Sequence, residues 1–549
     1  MNNSWKEKAK VKREKLLEAI PKEWRLSNVP SVAEEPNASK YVDSLLSEEE
    51  NEITNSPLLQ LKEKISRGYL SSYEVTRAFC HRTALVQQLT NCCSEIFFER
   101  ALSRATQLDQ YFSKHGSPSG LLHGIPISFK DQVNLEGIDS AIGYVGRLGD
   151  PITKDQVSNI AKILEDAGAV FYVKTTTPMA MMSGETVSNI YGFTLNSINR
   201  KLSCGGSSGG EGALLAAKGS LLGFGTDIGG SIRLPCNSQG LFGLRGSSNR
   251  LPYCKVTNSM ANQPIMCSVI GPMSRDIEDL EFATKLIIDS QPWLNDPKCP
   301  PISWRTYDMN KKLSFGLYDP SYYTYLHPQV QRALEIVRKS LTERGHEVID
   351  WKPPMNFKQV QSLAGDIFLA DGGQEIVNEC RKSGEPVRKE ISMIKDGKAS
   401  DQISVSLHWE QARLKYEYQQ LFDQHWLNTK LKTSTGKPID GLILPLQTLS
   451  SFRPGDLEKV KVNFTTAFNV LDYPVVATPI TRADQKIDKI EKLYVPKNED
   501  DRILYEYYDP KLYDGTPVGL QVVAPRFEEE RAIGMSKVVY QCLKRNTGV

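Results

Sequence analysis

Hydrophobic and polar residues recur along this chain with two different periods, one typical of helices and one typical of strands. Over 72–114 the apolar positions return at helical spacing, which predicts long helices that cover a core. At 125–130 the pattern becomes an alternation that predicts a strand. A helix over 157–167, capped by Gly168, and a buried strand over 169–173 follow. Helices therefore lie against a sheet, and the predicted fold class is α/β.

The second half of the chain repeats this mixture of short apolar runs and amphipathic segments. The residues at 271–276 predict a turn into a helix, 330–341 predict an amphipathic helix, and 483–511 predict a surface loop. Further strands are predicted at 220–224, 313–317, 346–351, 441–444, 473–476 and 519–523.

Three regions follow from this pattern. Residues 1–70 are charged and helical, and we interpret them as an N-terminal helical extension. Residues 71–549 form the main domain. Within it, 356–435 is polar and almost free of strand signal, so we expect a largely helical insertion that covers one side of the core.

Composition and charge exclude several classes of function. The chain has 549 residues, of which 67 are basic and 65 acidic, so its net charge of +2 favours no nucleic acid or other polyanionic partner. Its ten cysteines lack the spacing of a zinc site, and we expect no metal. There is no apolar signal core and no run long enough for a membrane span, which predicts a cytoplasmic protein with reduced thiols.

A glycine-rich stretch at 203–233 holds two serines that are candidates for chemistry. Ser207 and Ser231 each lie among glycines, which let a backbone turn tightly and bring its N–H groups close to a ligand. Ser208 and Glu211 have the spacing of a capping box, so we expect Ser207 just before a helix start. A serine among such N–H groups is suited to attack a carbonyl while they receive the negative charge on oxygen.

Serine needs a base, and the sequence offers two kinds of candidate. Seven histidines are present, but none lies in a segment that explains a catalytic placement, and we expect a structural role for His123. Lys130 is the alternative, because it ends an apolar strand where burial would keep its amine neutral. The G-x-S-x-G match at 205–209 lacks the preceding hydrophobic strand of a nucleophile elbow, and the glycines lack the G-K-[ST] of a phosphate loop.

Three segments together resemble the amidase signature family: G-G-S-S-G-G-E-G at 205–212, G-T-D-I-G-G-S-I-R at 225–233 and G-I-P-I-S-F-K-D at 124–131. Shorter matches are Gly-Pro-Met at 271–273 and Pro-Val-Gly-Leu-Gln at 517–521. The opening residues, with Trp5 and Ile-Pro-Lys-Glu-Trp-Arg at 20–25, are further similar to fungal acetamidase-type amidases. The resemblance covers nearly the whole chain and implies a mixed central β-sheet sandwiched between layers of α-helices.

The resemblance also implies a Ser-Ser-Lys triad, in which Ser231 is the nucleophile, Lys130 the neutral base and Ser207 the residue that bridges them across a cis peptide bond. Asp227 and Arg233 flank the second serine as opposite charges, and we expect them to hold the loop through charge-assisted hydrogen bonds. The other implied residues are the oxyanion donors Ile228, Gly229, Gly230 and Ser231, the acyl-pocket residues Met181 and Ser183, and the structural residue Ser208.

The implied reaction is hydrolysis of a monocarboxylic acid amide to carboxylate and ammonia or amine through an acyl-enzyme, without metal or cofactor. Two alternatives stay open: an amidotransferase A-type subunit that feeds ammonia to a tRNA-linked substrate, and a family member without activity. We expect a small-molecule amide as the partner, a homodimer as the candidate assembly, and neither nucleic acid nor a membrane span.

Overall fold

An eleven-stranded mixed sheet crosses the protein, whose computed structural model describes residues 4–261, 263–460 and 463–547. The strands follow one another across the sheet in the order β1-β3-β2-β6-β8-β7-β12-β13-β11-β9-β10, and β4 pairs with β5 separately. Their bounds are β1 Cys93–Ile96, β2 Pro126–Lys130, β3 Val170–Thr175, β4 Val187–Ser188, β5 Gly192–Phe193, β6 Leu222–Asp227, β7 Phe242–Arg245, β8 Val269–Ser274, β9 Ser314–Leu317, β10 Glu347–Asp350, β11 Gly441–Pro445, β12 Val475–Arg482 and β13 Pro517–Val523.

The sheet is mixed, with two parallel groups separated by an antiparallel middle. Strand β2 runs parallel to β3 and to β6, and β9 runs parallel to β10 and to β11. The remaining pairs are antiparallel, both the edge pair of β1 with β3 and those from β6 through β8, β7, β12 and β13 to β11. Because β2 and β6 are parallel neighbours, their carboxyl ends meet at the same edge, where α/β sheets place ligands.

Helices cover this sheet in two groups, so the fold is the expected mixed sheet sandwiched between helix layers. Helices α8 and α9 pack together and against the central strands, while α18 packs against α10 and α11, and these three helices cover the sheet from β8 to β10. The helices outside the N-terminal part are α7 Asn159–Asp166, α8 Gly209–Ala216, α9 Arg233–Gln239, α10 Ile277–Asp289, α11 Pro328–Glu343, α12 Phe357–Phe368, α13 Gln374–Ser383, α14 Val405–Asn428, α15 Thr466–Leu471, α16 Glu499–Tyr507, α17 Pro510–Tyr513 and α18 Glu529–Thr547.

Residues 1–70 contain α1 Ser4–Glu18, α2 Ala38–Leu45, α3 Glu48–Asn55 and α4 Leu58–Ser66, and α5 Ser72–Thr90 and α6 Phe98–His115 follow. Polar contacts join residues 1–70 to the rest of the protein. The fully buried Arg82 of α5 donates to Asp43 at 2.7 Å, to Asn51 at 2.6 Å and to the Ala217 carbonyl at 3.1 Å. Apolar residues of α1 to α4 lie in the same hydrophobic core as β2 and β3. The domain boundary near residue 70 stays a prediction.

Several predicted elements are confirmed, two are wrong and some strands were missed. The segment 271–276 is not a turn, because Gly271 to Ser274 complete strand β8 between β6 and β7, and α10 begins only after Asp276. The predicted loop at 483–511 contains α16 and the first half of α17. Strands β1, β4, β5 and β7 were not predicted. Across the described residues, no helix combines the length and apolarity that a bilayer crossing needs.

Candidate active site

Lys130 ends strand β2 and is fully buried, although a lysine at a strand end is ordinarily exposed. All five positions of β2 are buried, so its polar side chains have protein partners instead of water. The Lys130 Nζ lies 2.7 Å from Ser207 Oγ and 2.7 Å from Thr226 Oγ1. Burial lowers the pKa of Lys130 from 10.5 to about 7, although the carboxylates of Asp227, Asp131 and Glu211 oppose that shift. The amine is therefore able to be neutral near pH 7.

Ser207 precedes helix α8 in a loop that only glycine could build. The Gly206–Ser207 peptide bond is cis, as the resemblance implies. A Cβ at Gly206 would lie 2.7 Å from both the Glu185 nitrogen and the Ser183 carbonyl oxygen, so the loop packs backbone against backbone. The next residue, Ser208, donates its N–H to the Ser231 carbonyl at 3.1 Å. This bond ties the segments that carry the two glycine-framed serines.

The predicted capping box of Ser208 and Glu211 is wrong. Helix α8 does begin after Ser208, but the Ser208 side chain makes no capping bond and instead contacts the Thr226 backbone at 3.3 Å. Glu211 is fully buried and accepts from the hydroxyls of Ser128 and Thr175. Burial raises its pKa to about 7 against those hydrogen bonds. Both side chains make hydrogen bonds to other segments, so neither caps helix α8.

Ser231 lies in the turn between β6 and α9, and a buried ion pair holds that turn. The Arg233 guanidinium binds both oxygens of Asp227 at 3.0 Å, and neither side chain is exposed. Asp227 also accepts from the N–H groups of Gly230 at 2.8 Å and Ile232 at 3.1 Å. Burial raises the pKa of Asp227, but the charge and hydrogen bonds of Arg233 outweigh it and leave the pKa below its usual value. These contacts agree with the loop-holding role expected for the two charges.

The ion pair is itself anchored to the C-terminal part of the chain. Arg233 donates to the Thr465 carbonyl at 2.8 Å and to Gln521 at 3.2 Å, and Asn469 donates to Asp227 at 2.8 Å. None of these three partners was found from the sequence, although Gln521 lies in one of the matching motifs.

Gly229 and Gly230 of this turn differ in what an added side chain would meet. Gly230 has φ +132°, and a Cβ there would lie 2.3 Å from Thr465 Oγ1, so a side chain would clash with the protein, not with a substrate oxygen. At Gly229 the nearest atom would be 3.7 Å away. Because the Gly230 N–H already donates to Asp227, it is the least available of the four predicted oxyanion donors.

A small cavity opens beside the two serines. Its volume, the space open to the centre of a water molecule, is ≈ 10 Å³, which is room for about one water. Apolar side chains, hydroxyls and one amide line it. Its lining is Met181, Met182, Ser207, Thr226, Ile228, Ser231, Asn258, Ser259, Met260 and Ser268.

The other predicted residues are placed as follows. Met181 lines the cavity, whereas Ser183 is not among the described lining residues and packs behind Ser207, where its Oγ accepts from the Glu185 N–H at 3.2 Å. His123 is buried away from the serines, with Nδ1 accepting from the Ser119 N–H at 3.0 Å. Among the described residues, no three His, Cys, Asp or Glu side chains cluster as metal ligands would.

Sequence reasoning missed two polar neighbours of Lys130. Thr226 contacts the amine directly, and Gln132 contacts Thr226 at 2.5 Å. Thr226 lies inside the motif at 225–233 and Gln132 directly follows the motif at 124–131, so adjacency to those motifs was the available signal.

Comparisons with known proteins show the family to which this chain belongs. The family model described as Amidase matches residues 74–533. The acetamidase of Aspergillus oryzae is 39% identical over 553 residues, covering 98% of this chain and 99% of that protein. The probable amidase of Saccharomyces cerevisiae is 38% identical over 547 residues, covering 96% and 97%. A solved fatty acid amide hydrolase superposes with a TM-score of 0.91 at 31% identity, covering 98% and 95%. The chain therefore belongs to the amidase signature family, and it is a hydrolase that converts a carboxylic amide to carboxylate and ammonia.

Proposed function

We propose that this amidase works through Lys130, Ser207 and Ser231. The observation that carries the proposal is the 2.7 Å contact between the buried Lys130 Nζ and Ser207 Oγ, beside a cavity lined by both serines. The neutral amine takes the Ser207 proton while the Ser207 oxygen takes the Ser231 proton. The Ser231 oxygen then attacks the amide carbon. A buried amine whose pKa is about 7 is matched to this work near neutral pH.

The carbonyl oxygen becomes negatively charged as the tetrahedral intermediate forms. We assign its stabilisation to the backbone N–H groups of Ile228, Gly229 and Ser231, since that of Gly230 is engaged by Asp227. One such donor is typically worth about 10²–10³ in rate. Collapse of the intermediate breaks the C–N bond as the proton returns from Lys130 through Ser207 to the leaving nitrogen. Water then repeats the attack on the acyl-enzyme, which releases the carboxylate and regenerates Ser231.

We propose that the substrate is a short aliphatic amide. The cavity has room for about one water molecule and its lining includes three methionines and Ile228, so it must widen to admit any amide and would widen least for the shortest ones. The acetamidases that this chain resembles carry such an amide in their name.

We expect kcat/KM to fall steeply from acetamide to hexanamide and aromatic amides. Met260→Ala should raise the rate on longer amides at least fivefold relative to acetamide. An unchanged chain-length preference would contradict this size argument.

Labelling with a fluorophosphonate tests the triad. We expect Ser231 to be labelled in the parent protein and labelling to disappear in Ser231→Ala. Lys130→Ala should depress the labelling rate by about 10²–10⁴, the usual worth of general-base catalysis, while the thermal melt stays near that of the parent. A label on another residue, or equal rates in both proteins, would remove the assigned roles.

The finer expectations on assembly and location also stay proposals. We propose a homodimer without nucleic acid, which sedimentation of the purified protein tests, and a cytoplasmic location, which cell fractionation tests. Co-purification of a second subunit with tRNA would instead favour the amidotransferase alternative.

A further inference from the structure

Gln132 is a neutral, fully buried side chain one contact away from the Lys130 amine. Its amide orientation is fixed by a carbonyl. Nε2 lies 2.9 Å from the Thr257 carbonyl oxygen and 2.8 Å from Tyr253 Oη. A carbonyl oxygen only accepts hydrogen bonds, so the amide must present its NH₂ group to Thr257. Oε1 then necessarily faces the other way, toward Thr226.

This orientation determines the direction of the next two hydrogen bonds. Gln132 Oε1 only accepts, so the single hydroxyl proton of Thr226 must be donated to it, across 2.5 Å. The Thr226 oxygen therefore can only accept from Lys130 Nζ, which lies 2.7 Å away. One N–H of the amine is committed to Thr226 whether Lys130 is neutral or charged.

We propose that Gln132 is a positioning residue that acts through Thr226 to aim the lone pair of the neutral Lys130 amine at the Ser207 hydroxyl. A neutral amine has two N–H donors and one lone pair. If the Thr226 hydroxyl were free to rotate, it could donate to that lone pair and hold it away from Ser207. Gln132 removes this unproductive arrangement by taking the Thr226 proton. The inference rests on the proposed role of Lys130 as the base.

Gln132 acts by fixing the direction of a hydrogen bond, and it contributes no charge. The charged groups that face Lys130 are Asp131 next to it, Asp227 at the end of β6 and Glu211 on α8. Gln132 adds no charge to this set, so its loss should change the fraction of productive amines more than the pH at which the amine loses its proton.

Gln132→Met tests the proposal, since methionine has a similar length but accepts no comparable bond from Thr226. We expect the high-pH plateau of kcat/KM for acetamide, and the rate of fluorophosphonate labelling, to fall about tenfold, which is less than the ~10²–10⁴ that loss of the general base itself would cost. KM should stay within about twofold of the parent, and the acid limb of the pH profile should not move to higher pH. Gln329→Met is the matched control: it is a fully buried glutamine on α11, and we expect the parent rate.

A double-mutant cycle separates positioning from simple loss of structure. In Thr226→Val the hydroxyl that Gln132 controls is absent, so adding Gln132→Met should cause no further loss. An equal loss in both backgrounds would overturn the proposal, and so would a plateau equal to that of the parent. If instead Lys130→Ala kept full activity, the proposed triad itself would fail, which is a different outcome from an inert Gln132→Met in a Lys130-dependent enzyme.

Discussion

The acid limb of the pH–rate profile offers a quantitative test, because the base must be uncharged to accept a proton. Lys130 carries a pKa of about 7, so at pH 8 about 90% of the amines are neutral and at pH 6 about 10% are. We therefore expect kcat/KM to fall about tenfold between pH 8 and pH 6, and about tenfold more for each further unit. The rate is lost as the pH falls through the pKa of the folded protein, which is the direction for a base with a lowered pKa.

The magnitude follows from burial. An exposed lysine with a pKa of 10.5 would leave only about 0.03% of its amines neutral at pH 7, whereas a pKa of about 7 leaves about half. Burial therefore raises the neutral fraction of the Lys130 amine at pH 7 by a factor of about 10³. Three carboxylates work against it, those of Asp131, Asp227 and Glu211, and their opposition keeps the pKa from falling lower.

The assay is initial-rate hydrolysis of acetamide between pH 5 and pH 9 at constant ionic strength, with ammonia as the measured product. Glu185 is the matched control, because burial raises its pKa to about 7 as well and its carboxylate accepts from the Gly455 N–H. Glu185→Gln should keep the acid limb where it is. If the acid limb of the pH–rate profile disappeared in Glu185→Gln, or if the parent rate were flat from pH 8 to pH 6, Lys130 would not be the group that titrates in this limb.

Two further predictions concern stability. Asp227→Ala leaves the buried Arg233 guanidinium without its counter-charge, so we expect the free energy of unfolding to fall by about 3–5 kcal/mol in urea titrations; a loss under about 1 kcal/mol would show that the pair does not hold the turn. Gly223→Ala would place a Cβ 1.8 Å from Glu211 Oε1, so we expect a thermal melt several degrees lower and reduced activity. Gly365→Ala is its control: nothing lies within 4 Å of that Cβ, and alanine favours helix α12, so the melt should be unchanged or higher.

Local pattern and motif resemblance were enough to name the lysine and the two serines that the structure brings together. Lys130, Ser207 and Ser231 could be named because each lies in a short, unusual motif, and the cis bond before Ser207 came with the family. The charges of Asp227 and Arg233 could be paired because they flank one turn. These features depend on neighbours in sequence, which is the information a single chain displays.

What could not be predicted depends on contacts between distant segments. The Ser208–Glu211 spacing fits a helix cap, but the strands behind α8 claim the Glu211 carboxylate. The polar residues of β2 alternate as on an exposed face, yet they are buried against other strands and helices. Strand β8 contains Gly271 and Pro272, which resemble a turn in isolation, and only pairing with β6 and β7 makes them a strand. Tertiary context overrides local propensity in each case.

The ion pair of Asp227 and Arg233 has a consequence for synthesis on the ribosome. Its outer partners, Thr465, Asn469 and Gln521, belong to the part of the polypeptide that emerges last. A nascent chain that already contains the glycine-rich motifs still lacks the contacts that fasten the turn carrying Ser231. We therefore expect prematurely terminated products to lack hydrolytic activity, and two fragments divided between 435 and 441 to recover turnover only by reassembling.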